Sequence, residues 1–249
     1  MGIILKSPQE IAIMQEAGKV VEAVLKALAE EARPGVKTSH LDHVAVDLLR
    51  KHGATASFLN YRGYPASVCV SINEEVVHGI PGQRTLVEGD IVSLDFGAKL
   101  EGFHADAALT VGVGEIKAEA REIIEVTSNA LHAGIAAAKV GNRLGDISAA
   151  IQEYVETRGY SVVREWVGHG IGRQLHEDPQ VPNFGVPGEG PLLQKGMTVA
   201  LEPMVNAGGW RTRVTDNGWT VVTDDGSLSA HFEHTIAIGE DGATILTGS

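Results

Sequence analysis

The chain has 249 residues, 43% of them hydrophobic and 21% charged, with 20 basic residues against 32 acidic ones for a formal charge of -12. That length can bury a substantial core in one large domain or two small ones, while the charge has the wrong sign for holding nucleic acid by phosphate neutralisation. A single cysteine, Cys69, excludes an internal disulfide or a zinc-cysteine cluster, and no apolar run reaches the roughly 18 residues of a membrane span.

The first six residues carry no basic region followed by an apolar stretch, so no signal peptide is expected and the cytoplasm is the expected location. Ser7-Pro8-Gln9-Glu10 then reads as a capping box with proline in the first turn. Ile11, Met14, Val20, Val21, Val24, Leu25 and Leu28 recur at helical spacing, which predicts a helix over 7–31. Pro34-Gly35 breaks it. Thr38 and Ser39 are candidate caps for a second helix, whose apolar stripe is Leu41, Val44, Ala45, Leu48 and Leu49 and whose stop is Gly53. Strand-like runs follow over 67–72, 90–97 and 103–112, separated by turn residues. Two more helices are predicted, from Ala118 to about Gly141 and from Leu144 to about Gly159.

The second half repeats the first. Gly141 and Gly159 close their helices as Gly35 and Gly53 close theirs, and the segment from Leu86 to Asp95 aligns with that from Leu193 to Glu202, each ending in an acid. His78-Gly79-Ile80 is similar to His169-Gly170-Ile171, and Asp106 with the strand after it corresponds to Glu233. A single catalytic domain over 1–249 is expected, in two pseudo-twofold halves at about 7–113 and 116–240, with the polar groups meeting at the centre.

Asp95 and Asp106 lie in two strands around a turn near Leu100-Glu101. A hairpin symmetric about that turn sets the carboxylates opposite each other, about 5 Å apart at Cβ. Acids that close repel, so a shared proton, a basic residue or a metal must offset them, unless they lie exposed on an edge hairpin. Glu202 closes a strand over 198–201 ahead of Pro203, and Glu233 shares a strand face with Thr235 and Ala237. Four strand-borne acids related in pairs imply a cation site. The stretch Gly168-His169-Gly170-Ile171-Gly172, with His176 beyond it, reads as a turn where backbone approaches a ligand. A phosphate loop is the competing reading, although the P-loop ending and the dinucleotide glycine pattern are both missing. His40, His43, His52 and His132 fall on predicted helices as surface or boundary residues, whereas His104, His231 and His234 flank the acids. Four carboxylates and an imidazole, with no thiolate, suit a pair of divalent ions that activate water and polarise a carbonyl, which predicts metal-assisted hydrolysis.

Six segments in order, Asn73-Glu-Glu-Val-Val-His-Gly-Ile-Pro81, Glu88-Gly-Asp-Ile-Val-Ser-Leu-Asp95, Gly102-Phe-His-Ala-Asp106, Gly168-His-Gly-Ile-Gly172, Leu201-Glu-Pro-Met204 and His231-Phe-Glu-His-Thr235, resemble the methionine aminopeptidases of the short bacterial type I form over essentially the whole chain. The resemblance implies an α/β (α+β) pita-bread fold, two similar halves with a curved antiparallel sheet flanked by helices. It implies two divalent metal ions, Co, Mn, Fe or Zn, held by Asp95, Asp106, His169, Glu202 and Glu233, with Asp106 and Glu233 bridging. It implies removal of the initiator methionine from nascent chains and peptides when the next residue is small. A water or hydroxide bridging the metals attacks the scissile carbonyl, and Glu202 relays its proton. His176 resembles the residue that stabilises the oxyanion and His78 the one that contacts the scissile amide, while Phe58, Tyr61, Tyr64, Cys69 and Trp219 map onto the methionine pocket. Arg62 and Leu175 stand where many bacterial members carry histidine and an aromatic. Nascent polypeptide N-termini are the implied partners, with docking at the ribosome expected from the role. The protein is expected to be a monomer, and neither a membrane nor a nucleic acid is indicated as partner. The related Xaa-Pro peptidases share the fold but usually add an N-terminal domain.

Overall fold

Ser7 caps the first helix reciprocally: its hydroxyl accepts from Glu10 N and the Glu10 carboxylate accepts from Ser7 N, which satisfies two backbone donors that a helix start otherwise leaves open. The computed structural model describes residues 2–248, so Met1 and Ser249, the ends of the domain expected from the sequence, lie outside the described residues. Helix α1 spans Pro8–Glu31 and buries Met14, Ala17, Val21, Val24, Leu25 and Leu28 along one stripe. Helix α2 spans Thr38–His52 and ends on Gly53 in the left-handed region at φ 66°. Its expected side-chain cap is absent. Lys37 takes the capping position without a side-chain bond, because the Thr38 hydroxyl is engaged elsewhere, donating to Gly82 O and accepting from Gly82 N. Helices α3, Ala118–Ala137, and α4, Leu144–Glu156, form the second antiparallel pair.

The strands in the first half are β1, Thr55–Ala56; β2, Val68–Ile72; β3, Glu75–Val77; β4, Ile91–Leu100; and β5, Phe103–Gly112. After α4 come β6, Ser161–Val162; β7, Gly168–Gly170; β8, Glu177–Val181; β9, Thr198–Leu201; and β10, Met204–Asn206. The last are β11, Thr212–Val214; β12, Val221–Thr223; β13, Ser229–His231; β14, Glu233–Ile238; and β15, Ala243–Ile245. The strands β13 and β14 are divided at Phe232, whose N–H donates to Pro203 O instead of continuing one ladder. A nine-stranded antiparallel sheet runs β1-β4-β5-β14-β9-β7-β8, with β2 added beside β4 and β15 beside β14, and two three-stranded sheets join β13-β10-β6 and β11-β12-β3.

Strand alternation decides what each face of the large sheet carries. On β4 the residues Val92, Leu94, Phe96 and Ala98, and on β5 Ala105 and Ala107, pack with α1 and α2 in one core. Val199, Leu201, Ile236 and Ile238 pack with α3 and α4 in another. The helices therefore cover one face, and Asp95, Asp106, Glu202 and Glu233, at the alternate positions along these strands, point to the other. No described helix is long and apolar enough to cross a membrane.

The hairpin register differs from the expected one. Glu101 and Gly102 both take positive φ, 48° and 86°, so the two-residue turn lies one position later than the sequence spacing places it. Asp95 consequently faces Ala108, and Asp106 faces Gly97. The two acids share a face as diagonal neighbours instead of a directly opposed pair.

Helix α1 passes so close to the C-terminal segment that a Cβ on Gly18 would run into Leu246 O. Gly18→Ala is expected to lower stability by about 1–3 kcal/mol in urea unfolding, with Gly2→Ala, which has open space around it, unchanged.

Candidate active site

The face of the large sheet turned away from the helices carries its polar groups in two adjacent rows. One row runs Cys69, Asp95, Ala108, Glu233 across β2, β4, β5 and β14. In the next, Thr235 faces Ala200 and Ala200 faces His169, which in turn faces Gln180 of β8. Asp106 joins this second row through Thr235, whose hydroxyl bonds Asp106 O at 2.8 Å and Asp106 Oδ1 at 3.1 Å and accepts from Asp106 N at 3.0 Å. Glu202 follows Leu201 directly, at the end of β9. Its backbone carbonyl accepts from Asn183 Nδ2 at 3.0 Å.

Asp106, His169 and Glu233 present ligand atoms within 4.8 Å of one another. His169 Nε2 lies 3.7 Å from Asp106 Oδ2 and 3.7 Å from Glu202 Oε1. His169 Nδ1 is 2.9 Å from Gly170 O; a carbonyl can only accept, so Nδ1 carries the proton and Nε2 offers a lone pair toward the acids. Asp95 completes the group across the hairpin, and its Oδ1 is buried without a hydrogen bond among the described residues.

Burial pushes all four carboxyls above the usual carboxylate range. Repulsion from Asp106 adds to the rise at Asp95, from Asp95 and Asp106 at Glu202, and chiefly from Asp106 at Glu233. At Asp106 burial dominates, and the His169 imidazole opposes it. Buried like charges without compensation cost several kcal/mol each, by order of magnitude. An orphaned carboxylate oxygen, an imidazole lone pair and mutually repelling acids fit one kind of occupant, a hard divalent cation.

Around this centre lies a cavity of about 470 Å³. All twelve residues singled out from the sequence line it: the five acid and imidazole groups, His78, His176, Phe58, Tyr61, Tyr64, Cys69 and Trp219. His176 stacks on Tyr61 at 5.1 Å between ring centroids, bonds Tyr61 Oη through Nδ1 at 2.8 Å, and stands 4.1 Å from the His169 ring. His78 sits at φ 61°, a backbone conformation unusual for histidine. It is held there because Gly79 lies against β2, its carbonyl accepting from Val70 N at 2.8 Å. Burial pushes the His78 imidazole down to about 4. Tyr64 meets Trp219 edge-on at 5.2 Å, and its hydroxyl donates to Gly79 O, leaving the ring as an apolar wall beside Cys69.

The glycines of 168–172 do different work from that expected. Its first three residues are strand β7, and a Cβ on Gly168 or Gly170 would strike Ala200 O or Asp178 O, so these two glycines admit neighbouring backbone. His40, His43, His52 and His132 are exposed, as expected for surface positions on helices. His231, noted only as a flanking residue, is fully buried; neither ring nitrogen makes a hydrogen bond among the described residues, and Nε2 stands 3.8 Å from Glu202 Oε2. Sequence reasoning missed Trp166, which packs edge-on against His78 at 5.1 Å, and Gln180, which faces His169 across the ladder. An aromatic two residues before Gly168-His169 was the available signal for Trp166; Gln180 had none. Arg62 is exposed at the cavity wall, whereas Leu175 is buried against Phe103, Ile171 and Met14.

Fold and site together define a metal-dependent peptidase. A profile for metallopeptidase family M24 matches residues 12–240. A methionine aminopeptidase of Clostridium perfringens is 55% identical over 98% of this chain and 98% of its own length, and methionine aminopeptidase 1 of Bacillus subtilis is 52% identical over 98% and 99%. The crystal structure of methionine aminopeptidase from Thermotoga maritima superposes with a TM-score of 0.98 at 48% identity, covering all of both chains. The chain belongs to metallopeptidase family M24 and, within it, to the methionine aminopeptidases, and its fold is the pita-bread fold expected from the sequence.

If a cation relieves the repulsion, removing it destabilises the fold. Chelation is expected to lower Tm, Mn2+ to restore it, and Glu233→Gln to lose that response, as read by thermal unfolding with metal analysis.

Proposed function

We propose that the protein releases the N-terminal methionine of nascent polypeptides and peptides whose next residue is small, using two divalent ions that Asp95, Asp106, His169, Glu202 and Glu233 would hold. The observation that carries this reading is the convergence of those five groups with His78, His176 and an apolar aromatic pocket in one cavity. When bound, the ions supply a water acidic enough to attack near neutral pH and a Lewis acid for the scissile carbonyl. Mn, Fe, Co and Zn all suit such a donor set.

Glu202, its carboxyl raised by burial and neighbouring acids, takes the proton of the attacking water and delivers it to the leaving amine. His176 Nδ1 shares a 2.8 Å hydrogen bond with the Tyr61 hydroxyl, which leaves Nε2 to meet the developing oxyanion as the donor when Tyr61 gives its proton to Nδ1. His78, neutral and braced by Trp166, bonds the scissile amide. The thioether of methionine rests among Phe58, Tyr61, Tyr64, Cys69 and Trp219, where sulfur-aromatic contacts are favourable.

The chain works as one catalytic domain over 1–249 with halves at about 7–113 and 116–240, a division supported by the two helix-covered cores. A cytoplasmic monomer that meets nascent chains at the ribosome is the setting this activity calls for.

Metal-stripped protein reconstituted with Mn2+ or Co2+ is expected to release methionine from Met-Ala-Ser and leave Ala-Pro-Ser intact; cleavage of the proline peptide alone would move the reading to Xaa-Pro hydrolysis. His78→Ala is expected to lower kcat ~100-fold. Because His78 is neutral above about pH 5, that substitution changes the height and not the shape of the kcat profile from about pH 6 to 9.

A further inference from the structure

Lys6 and Glu177 form the one lysine or arginine ion pair among the described residues in which both side chains are buried, 3% and 5% exposed. Lysine is almost never buried without a dedicated partner. Here Lys6 Nζ donates to Glu177 Oε2 at 2.5 Å and to Ile4 O at 3.1 Å, while Lys6 N donates to Gly196 O at 2.7 Å. The arm is threaded over two glycines: a Cβ on Gly196 would press on Lys6 O at 2.7 Å, and one on Gly172 would meet both Lys6 Nζ at 2.9 Å and Glu177 Oε1 at 2.8 Å.

The other end of the pair is the turn between β7 and β8. Glu177 Oε1 accepts from Gln174 N at 3.1 Å, and Gly172 N donates to Gln174 O at 3.1 Å. Glu177 opens β8, where it pairs with Gly170. Between the closed turn and that strand stand the buried Leu175 and His176. An exposed ion pair, Arg173 with Glu10 at 3.1 Å, ties the same turn to the start of α1, but a solvated pair of this kind holds little. Apart from the burial of Leu175 in the core beside Phe103 and Ile171, the buried pair is the firm attachment. Lys6 itself lines no part of the cavity.

We propose that Lys6 and Glu177 are positioning residues for His176: the pair fixes the turn from beneath and thereby sets where the imidazole stands at the carbonyl under attack. The inference rests on the reading that His176 faces the oxyanion. Tyr61 orients the ring through Nδ1, but only the backbone of the turn places its Cα. A displacement of about 1 Å at such a group costs on the order of 100-fold in rate.

The test uses full-length enzyme reconstituted with Mn2+ and the Met-Ala-Ser peptide. Lys6→Met, Lys6→Arg and Glu177→Gln are assayed alone and combined with His176→Ala, with metal content and Tm measured in parallel. The expected result is a kcat lowered ~10- to 100-fold in Lys6→Met and Glu177→Gln, with KM and metal content changed by less than about 3-fold. Lys6→Arg recovers most of the loss, and neither substitution costs more once His176 is alanine. Wild-type kcat with a lowered Tm would make the pair a structural staple and nothing more. Losses that multiply in the His176→Ala background would route its effect elsewhere. Either overturns the proposal and leaves the aminopeptidase reading standing. Full kcat in His176→Ala overturns the role of His176 and the proposal with it, and absence of methionine release by the wild-type enzyme overturns the aminopeptidase reading first. Should Lys6→Met not fold, Glu177→Gln, which keeps the shape of the side chain, decides the outcome.

Discussion

Four carboxyl groups pressed together on one face of a sheet are the constraint around which this molecule is arranged. Each is raised by burial, and three of them are raised further by the others. Left uncompensated, such a group either takes up protons or forces its surroundings apart. Divalent cations offset the repulsion and turn it to use, because the donors that repel one another are the ones that hold a cation in fixed geometry. The stability of the fold and its chemistry therefore meet at the same few residues.

The sheet makes that concentration of charge possible. Strands β5 and β14 lie side by side at its centre, each flanked by the strand that carries its partner acid, β4 on one side and β9 on the other. Among these four strands the acids are placed symmetrically about the central pair. Behind the sheet each half has its own helix pair and its own core, so the strands are braced from the apolar side while their polar side faces the cavity. Strand alternation keeps the two separate: moving any of these strands by one residue would bury an acid among leucines and expose an apolar residue to the cavity.

The groups that handle substrate enter differently. His78 comes from a left-handed backbone position after β3, and His176 from the turn between β7 and β8, whereas the acids all sit on or at the end of strands. Sites on strands are rigid through their ladders; sites on turns need supports of their own. For His78 these supports are Trp166 and the hydrogen bond from Val70 N to Gly79 O. For His176 they are Tyr61 at its ring and, at the turn, the buried pair Lys6–Glu177.

Much of this was legible from residue order. The capping box at Ser7, the glycine after α2, the paired helices and the four strand-borne acids are local signals, and they survive in the folded chain because hydrophobic spacing and capping act over a few residues. The family resemblance named the two histidines and the aromatic pocket for the same reason, since each sits in a short recognisable segment. What residue order left open depends on contacts across the chain. The hairpin register turned on Gly102 accepting positive φ, which shifted Asp95 from facing Asp106 to facing Ala108. Thr38 gave up its capping role for Gly82, a residue distant in sequence. The glycines of β7 answered to the backbone of β8 and β9, and Trp166, Gln180 and Lys6 acquired their places from neighbours no spacing rule brings together. Chemistry at the centre was written in residue types, but the supports that aim it were decided by tertiary packing, because a side chain's long-range partner exists only once the chain has closed around it.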